Sequence, residues 1–144
     1  MNITYSQTVN PKEVETLIDA LIDEHTLELT PKLTDLTTHL YAISALVDDH
    51  FAGGIAFRRQ YDTLHVGALA VEAQYRGSGI GAQLMKKMEH LAEELAVHTV
   101  SLSTLSYQAL GFYQSLGYAV CGQLENYPRR GVTKYFLYKR LSGY

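Results

Sequence analysis

Arg76-Gly77-Ser78-Gly79-Ile80-Gly81 places three glycines between an apolar run and a long amphipathic one. Glycine backbone lets a ligand come close, and the first N–H groups of a helix have no partner inside it. The helix dipole adds about half a positive charge at that end, and the Arg76 guanidinium can donate to a phosphate oxygen. The segment reads as an anion site, and a pyrophosphate suits it. Gly77, Gly79 and Ala82 also satisfy the dinucleotide fingerprint G-x-G-x-x-G/A. That fingerprint requires a tight turn straight from the first strand and an acid at the end of the next. Here five residues intervene before Gly77, and Val100-Ser101-Leu102-Ser103 carries no acid. No Gly-Lys-Ser/Thr follows, which excludes a P-loop. A loop with glycines merely at a helix start is the remaining alternative.

A second constellation, Ala109-Leu110-Gly111-Phe112-Tyr113-Gln114-Ser115-Leu116-Gly117-Tyr118, fits Ala-x-x-Phe-Tyr-x-x-x-Gly-Tyr/Phe. The first fits Arg/Gln-x-x-Gly-x-Gly/Ala. Together they resemble the GNAT family of N-acetyltransferases, sharply so from Leu64 to Tyr118. The resemblance implies that acetyl-CoA is the donor and that its pyrophosphate rests on the amides of Arg76, Gly77, Ser78, Gly79, Ile80, Gly81 and Ala82. It implies that the strand end Leu69-Ala70-Val71 splays from its parallel neighbour and holds the pantetheine arm. Ser106 stands where an Asn often bonds the cofactor, and the proline often found before the motif is missing from Val71 to Tyr75. By the same resemblance Tyr113 protonates the leaving thiolate, with no covalent enzyme intermediate. Helical spacing would put Ser106, Ala109 or Leu110, and Tyr113 on one face. A core tyrosine is the bland alternative for Tyr113. A non-catalytic acyl-CoA-binding regulatory domain is the alternative for the whole chain.

The acceptor must lose a proton before it attacks: an alkylamine with a pKa of about 10 is neutral in roughly one molecule per thousand at pH 7. His65, on the strand leading to the glycines, has an ordinary pKa of about 6.5 and suits the role of base. It lies two residues beyond Thr63, the position where histone-modifying members of the family carry a glutamate, and two residues along a strand keep one face. A structural histidine is the alternative reading. The acceptor itself, a small-molecule or peptide amine, is not encoded in these motifs. The resemblance assigns its selection to variable segments, roughly residues 23 to 40 and 125 to 132.

The elements that must position these groups follow from patterning. A short strand is expected at Ile3 to Gln7, then a helix opened by Asn10-Pro11-Lys12-Glu13, with Val14, Leu17, Ile18, Leu21 and Ile22 on one face and an end before Thr30-Pro31. Alternation at Tyr41, Ile43, Ala45 and Val47, and runs at Phe51 to Arg59 and Leu64 to Val71, predict three antiparallel strands joined by turns at residues 48–50 and 60–62. Ile80, Leu84, Met88, Leu91 and Leu95 form one helical stripe. Val100 to Ser103 reads as a strand, Ser106 to Leu116 as a helix ended by Gly117, and two strands flank residues 127–131. Strand, helix, strand implies a parallel pair. The fold class is therefore α/β in the loose sense, or α+β. We expect a GNAT-like mixed, mostly antiparallel sheet of about six to seven strands with a central parallel pair, flanked by about four helices.

The chain has 144 residues, 47% of them hydrophobic, enough for a single domain over residues 1–144 with a core of its own. A net charge of −3 argues against a nucleic-acid binder. No stretch of apolar residues is long enough to span a membrane. Cys121 is the only cysteine, which excludes an internal disulfide, fits a reducing, cytoplasmic setting and leaves no metal cluster. Beside Val120 on an expected strand it reads as a buried, inert thiol. The apolar last strand, Thr133 to Arg140, fits either a strand covered on both faces or a homodimer face.

Overall fold

The computed structural model describes residues 1–30 and 38–141. They belong to two compact units, residues 1–36 and 37–144. In the first, helix α1 (Pro11–Leu29) starts where its sequence dictates. Asn10 is the N-cap and accepts from the Glu13 amide at 3.4 Å, while Pro11 occupies the first helical position. The strand expected at Ile3 to Gln7 is absent: residues 1–8 have no regular structure. Among the described residues of that unit there is no second strand, and a lone extended segment leaves its backbone donors and acceptors unpaired.

The second unit holds strands β1 (His39–Val47), β2 (His50–Gln60) and β3 (Thr63–Val71), a 3-10 turn (Ala73–Tyr75), helix α2 (Ile80–Glu94), strand β4 (Thr99–Leu105), helix α3 (Leu110–Ser115), and strands β5 (Ala119–Glu125) and β6 (Thr133–Arg140). Six strands form one sheet in the order β1-β2-β3-β4-β6-β5, antiparallel except for the central pair β3 and β4. Among the described residues there are three α-helices and one 3-10 turn, beside the about four helices expected. The β1–β2 hairpin closes through Asp48 and Asp49, both left-handed at φ 50° and 65°, the turn whose twist matches paired strands.

Packing explains the α2 stripe. Leu84, Met85, Met88 and Ala92 are buried on the helix, against Ile55 and Phe57 of β2, Leu64 and Val66 of β3, and Val100 and Leu102 of β4. Burying one such side chain contributes about 1.5–3 kcal/mol. β6 lies between β4 and β5, with Leu137 buried and Phe136 exposed on it. Two expectations give way here. Cys121 is exposed, because the β5–β6 register skips from Val120 to Gly122 and leaves it in a bulge on an edge strand. The expected helix over Ser106 to Leu116 shortens to Leu110–Ser115. Side chains claim the preceding backbone: Gln108 Oε1 accepts from the Leu105 amide at 2.8 Å, and Thr104 Oγ1 accepts from the Ala109 amide at 3.3 Å.

Candidate active site

The parallel pairing of β3 and β4 is brief: Thr63, Leu64 and His65 stand opposite Thr99, Val100 and Ser101, and then it stops. On the other side of β3 the register with β2 moves from Ala56 opposite Ala68 to Phe57 opposite Val66, leaving Gly67 as an extra residue. Such a bulge bends its strand. From Val66 onward β3 leans away from β4, so its backbone N–H and C=O groups on that side have no strand partner. A cleft of about 1000 Å³ opens in the gap. Leu69, Ala70 and Val71 form one wall, and Leu102, Ser103 and Thr104 of β4 face them.

The floor is the start of α2. Gly79 caps the helix at φ 87° and Gly77 lies at φ 80°, backbone conformations that favour glycine, and a Cβ added at either position would meet nothing within 4 Å. The first bond inside the helix runs from Gln83 N to Gly79 O at 3.1 Å, which leaves the amides of Ile80, Gly81 and Ala82 directed outward at the positive end of the dipole. Arg76 borders the same space, its Nε donating to Val71 O at 3.1 Å and anchoring the guanidinium to the end of β3. Open amides, a cationic side chain and glycines facing empty space fit a pyrophosphate.

Tyr113 closes the cleft from α3. Its side chain is almost wholly buried, and burial pushes the phenol above its ordinary value of 10. Among the described residues no hydrogen bond engages its hydroxyl. At neutral pH it holds a proton that it can give to an anion forming in the cleft.

The cleft brings together Leu69, Ala70, Val71, Arg76, Gly77, Gly79, Ile80, Gly81, Ala82 and Tyr113. Three expected residues lie outside its lining. Ser78 turns its hydroxyl back onto Tyr75 O. Ser106, which does not belong to α3, pins the last hairpin: its amide donates to Thr133 O at 2.8 Å and its Oγ accepts from Thr133 N at 3.1 Å. His65 sits at the last paired position before the splay, half-buried between the buried Leu64 and Val66 and therefore on the opposite face of β3 from them. Its Nδ1 is 2.9 Å from Ser101 Oγ, and burial first, then the positive charges of Arg58 and Lys134, hold its pKa below 6.5. Tyr107 and Gln108 border the cleft and were not anticipated, since they reach it from the turn that replaced the first part of the expected helix. Gly67, a glycine inside a strand pattern, was the sequence signal of the bulge.

Comparison with known proteins bears on the family and the fold. The Acetyltransferase (GNAT) family matches residues 8–118. Blasticidin-S acetyltransferase of Streptomyces morookaense is 34% identical over 137 residues, 94% of this chain and 95% of that one. An acetyltransferase from Bacillus cereus ATCC 14579 has the same fold with a TM-score of 0.81 at 25% identity, covering 96% of this chain and 98% of its own. An aminoglycoside 6'-N-acetyltransferase complexed with coenzyme A shares the fold at a TM-score of 0.63 and 22% identity, over 70% of this chain and 72% of its own. With the splayed strands, the glycine-capped helix and the phenol in one cleft, the chain belongs to the GNAT acetyltransferase family, and it is an N-acetyltransferase whose acetyl donor is acetyl-CoA.

Proposed function

We propose that this protein acetylates a primary amine of a small molecule or peptide by direct attack within a ternary complex. When bound, acetyl-CoA supplies an activated acetyl group and a thiolate leaving group. The observation that carries the reading is the convergence of free β3 backbone, open α2 amides and Tyr113 on one cleft. In this arrangement the amides from Ile80 to Ala82 and Arg76 hold the pyrophosphate, while Leu69 to Val71 offer backbone partners to the amides of the pantetheine arm. Tyr113 returns a proton to the departing sulfur. His65, neutral at pH 7 and oriented by Ser101, takes the proton from the amine where β3 and β4 part. The identity of 34% to a blasticidin-S acetyltransferase makes that antibiotic the first acceptor to assay, beside simple polyamines and lysyl peptides. Of the segments expected to select the acceptor, residues 31–37 lie outside the described residues. Residues 127–131 include a cis Tyr127–Pro128 bond and a left-handed Gly131.

Calorimetry with acetyl-CoA tests the cofactor half of this reading. Micromolar binding is expected, and its loss in an Arg76→Ala/Gly79→Ala variant places the ligand on the glycine loop. Equal binding by that variant would move the donor elsewhere.

A further inference from the structure

Behind Tyr113 lies a group of side chains that the reaction as described does not use. α3 ends in a motif that fixes two tyrosines against each other. Gly117 is left-handed at φ 92°, its amide donates to Gln114 O at 3.0 Å, and the Tyr118 amide donates to Tyr113 O at 3.1 Å. The two rings then meet edge to face at 6.2 Å. Tyr118 is 3% exposed, and its hydroxyl donates to Glu89 Oε1 of α2 at 3.1 Å.

The same carboxylate oxygen is 2.8 Å from Lys139 Nζ of β6. Lys139 also donates to Leu116 O at 2.9 Å, the carbonyl at the C-cap of α3. Its ammonium stands 5.6 Å from the centre of the Tyr118 ring. A Cβ at position 117 would lie 3.4 Å from Lys139 Cε, so glycine there serves both the turn and the passage of the lysine chain. One half-buried ion pair thus joins α2, β6 and the end of a six-residue helix too short to hold its own orientation. Near a surface such a pair contributes little to stability. Its geometric effect is specific, because every bond it makes ends on the segment that aims Tyr113.

We propose that Lys139 and Glu89 are positioning residues for acetyl transfer: through Leu116 O and Tyr118 they lock the end of α3 and set the direction of the Tyr113 ring. This rests on Tyr113 being the acid. Neither residue lines the cofactor cleft, so donor binding and turnover separate in the test.

The experiment compares Lys139→Met, Lys139→Arg and Glu89→Gln with the parent enzyme and with Tyr113→Phe. It uses kcat, the acetyl-CoA Kd by calorimetry, and thermal melts to confirm folding. Misplacing a reacting group by about 1 Å can cost up to about 100-fold in rate, so Lys139→Met is expected to lower kcat on the order of tenfold with Kd unchanged. Lys139→Arg is expected to recover most of that loss. In the Tyr113→Phe background Lys139→Met should cost nothing further, since there is no phenol left to aim. With 13C-labelled tyrosine, the resonance missing in Tyr113→Phe should shift or broaden in Lys139→Met. Glu89→Gln, nearly isosteric, carries the test if the methionine variant fails to fold. An unchanged kcat in folded Lys139→Met, or a further tenfold loss in the double variant, overturns the proposal while leaving Tyr113 as the acid. An unchanged kcat in Tyr113→Phe removes the acid assignment and the positioning role with it.

Discussion

Burial acts on Tyr113 and His65 in the same direction chemically: it disfavours the charged form of each. The phenol is raised above 10 and so keeps its proton, and the imidazole is lowered below 6.5 and so stays free of one. In the roles proposed for them, the acid is loaded and the base is open near pH 7. With amine and acetyl-CoA saturating, kcat should therefore rise as pH increases through a limb below 6.5 and fall through a second limb above 10. His65→Ala should abolish the lower limb. Tyr113→Phe should lower kcat by about 100-fold or more with little change in donor affinity. A pH–rate profile of both variants checks this, and an intact acid limb in His65→Ala would dismiss the histidine as base. At this scale the motifs of the sequence named Tyr113 and Arg76, and both line the cleft. Ser106 does not line it, and its partner Thr133 comes from a distant hairpin.

At the scale of elements, the decisive feature is how little of β3 pairs with β4. The strands themselves were legible from alternation, and α2 from its stripe, because periodicity reports which face is buried. The splay entered only through the family resemblance, since periodicity carries no register, and the extra residue at Gly67 is defined by the pairing of β3 with β2. Helix α2 is anchored by its buried side while its N-terminus faces the cleft, so weakening the anchor should cost stability without touching the chemistry of the amides. Met88 is fully buried. Met88→Ala should destabilise the protein by about 2–5 kcal/mol, read from urea unfolding. A loss under about 1 kcal/mol would show that the site collapses to fill the gap.

For the molecule as a whole, the described residues include no helix long and apolar enough to cross a membrane, and no cluster of His, Cys, Asp or Glu able to hold a metal. The cleft proposed as the donor site is assembled from β3, α2, β4 and α3, which come together only in the folded unit. Acetyl-CoA should therefore bind the native state alone, and at 100 times its Kd it should stabilise the protein by about 2.7 kcal/mol. Denaturant titrations with and without the ligand measure this, and an unchanged midpoint would contradict a site built across those four elements.

The sequence by itself determined the order and type of nearly every element in the second unit, because each depends on local spacing; it offered the glycine loop as an anion site, and the proposed acid role of Tyr113 came from the resemblance of its motif to a family. Only tertiary structure decided that Cys121 is exposed in an edge bulge, that Ser106 bonds a hairpin, and that Lys139 reaches Glu89 and Leu116 O from β6. Those outcomes depend on register and on contacts between distant segments, and the period of a sequence carries neither.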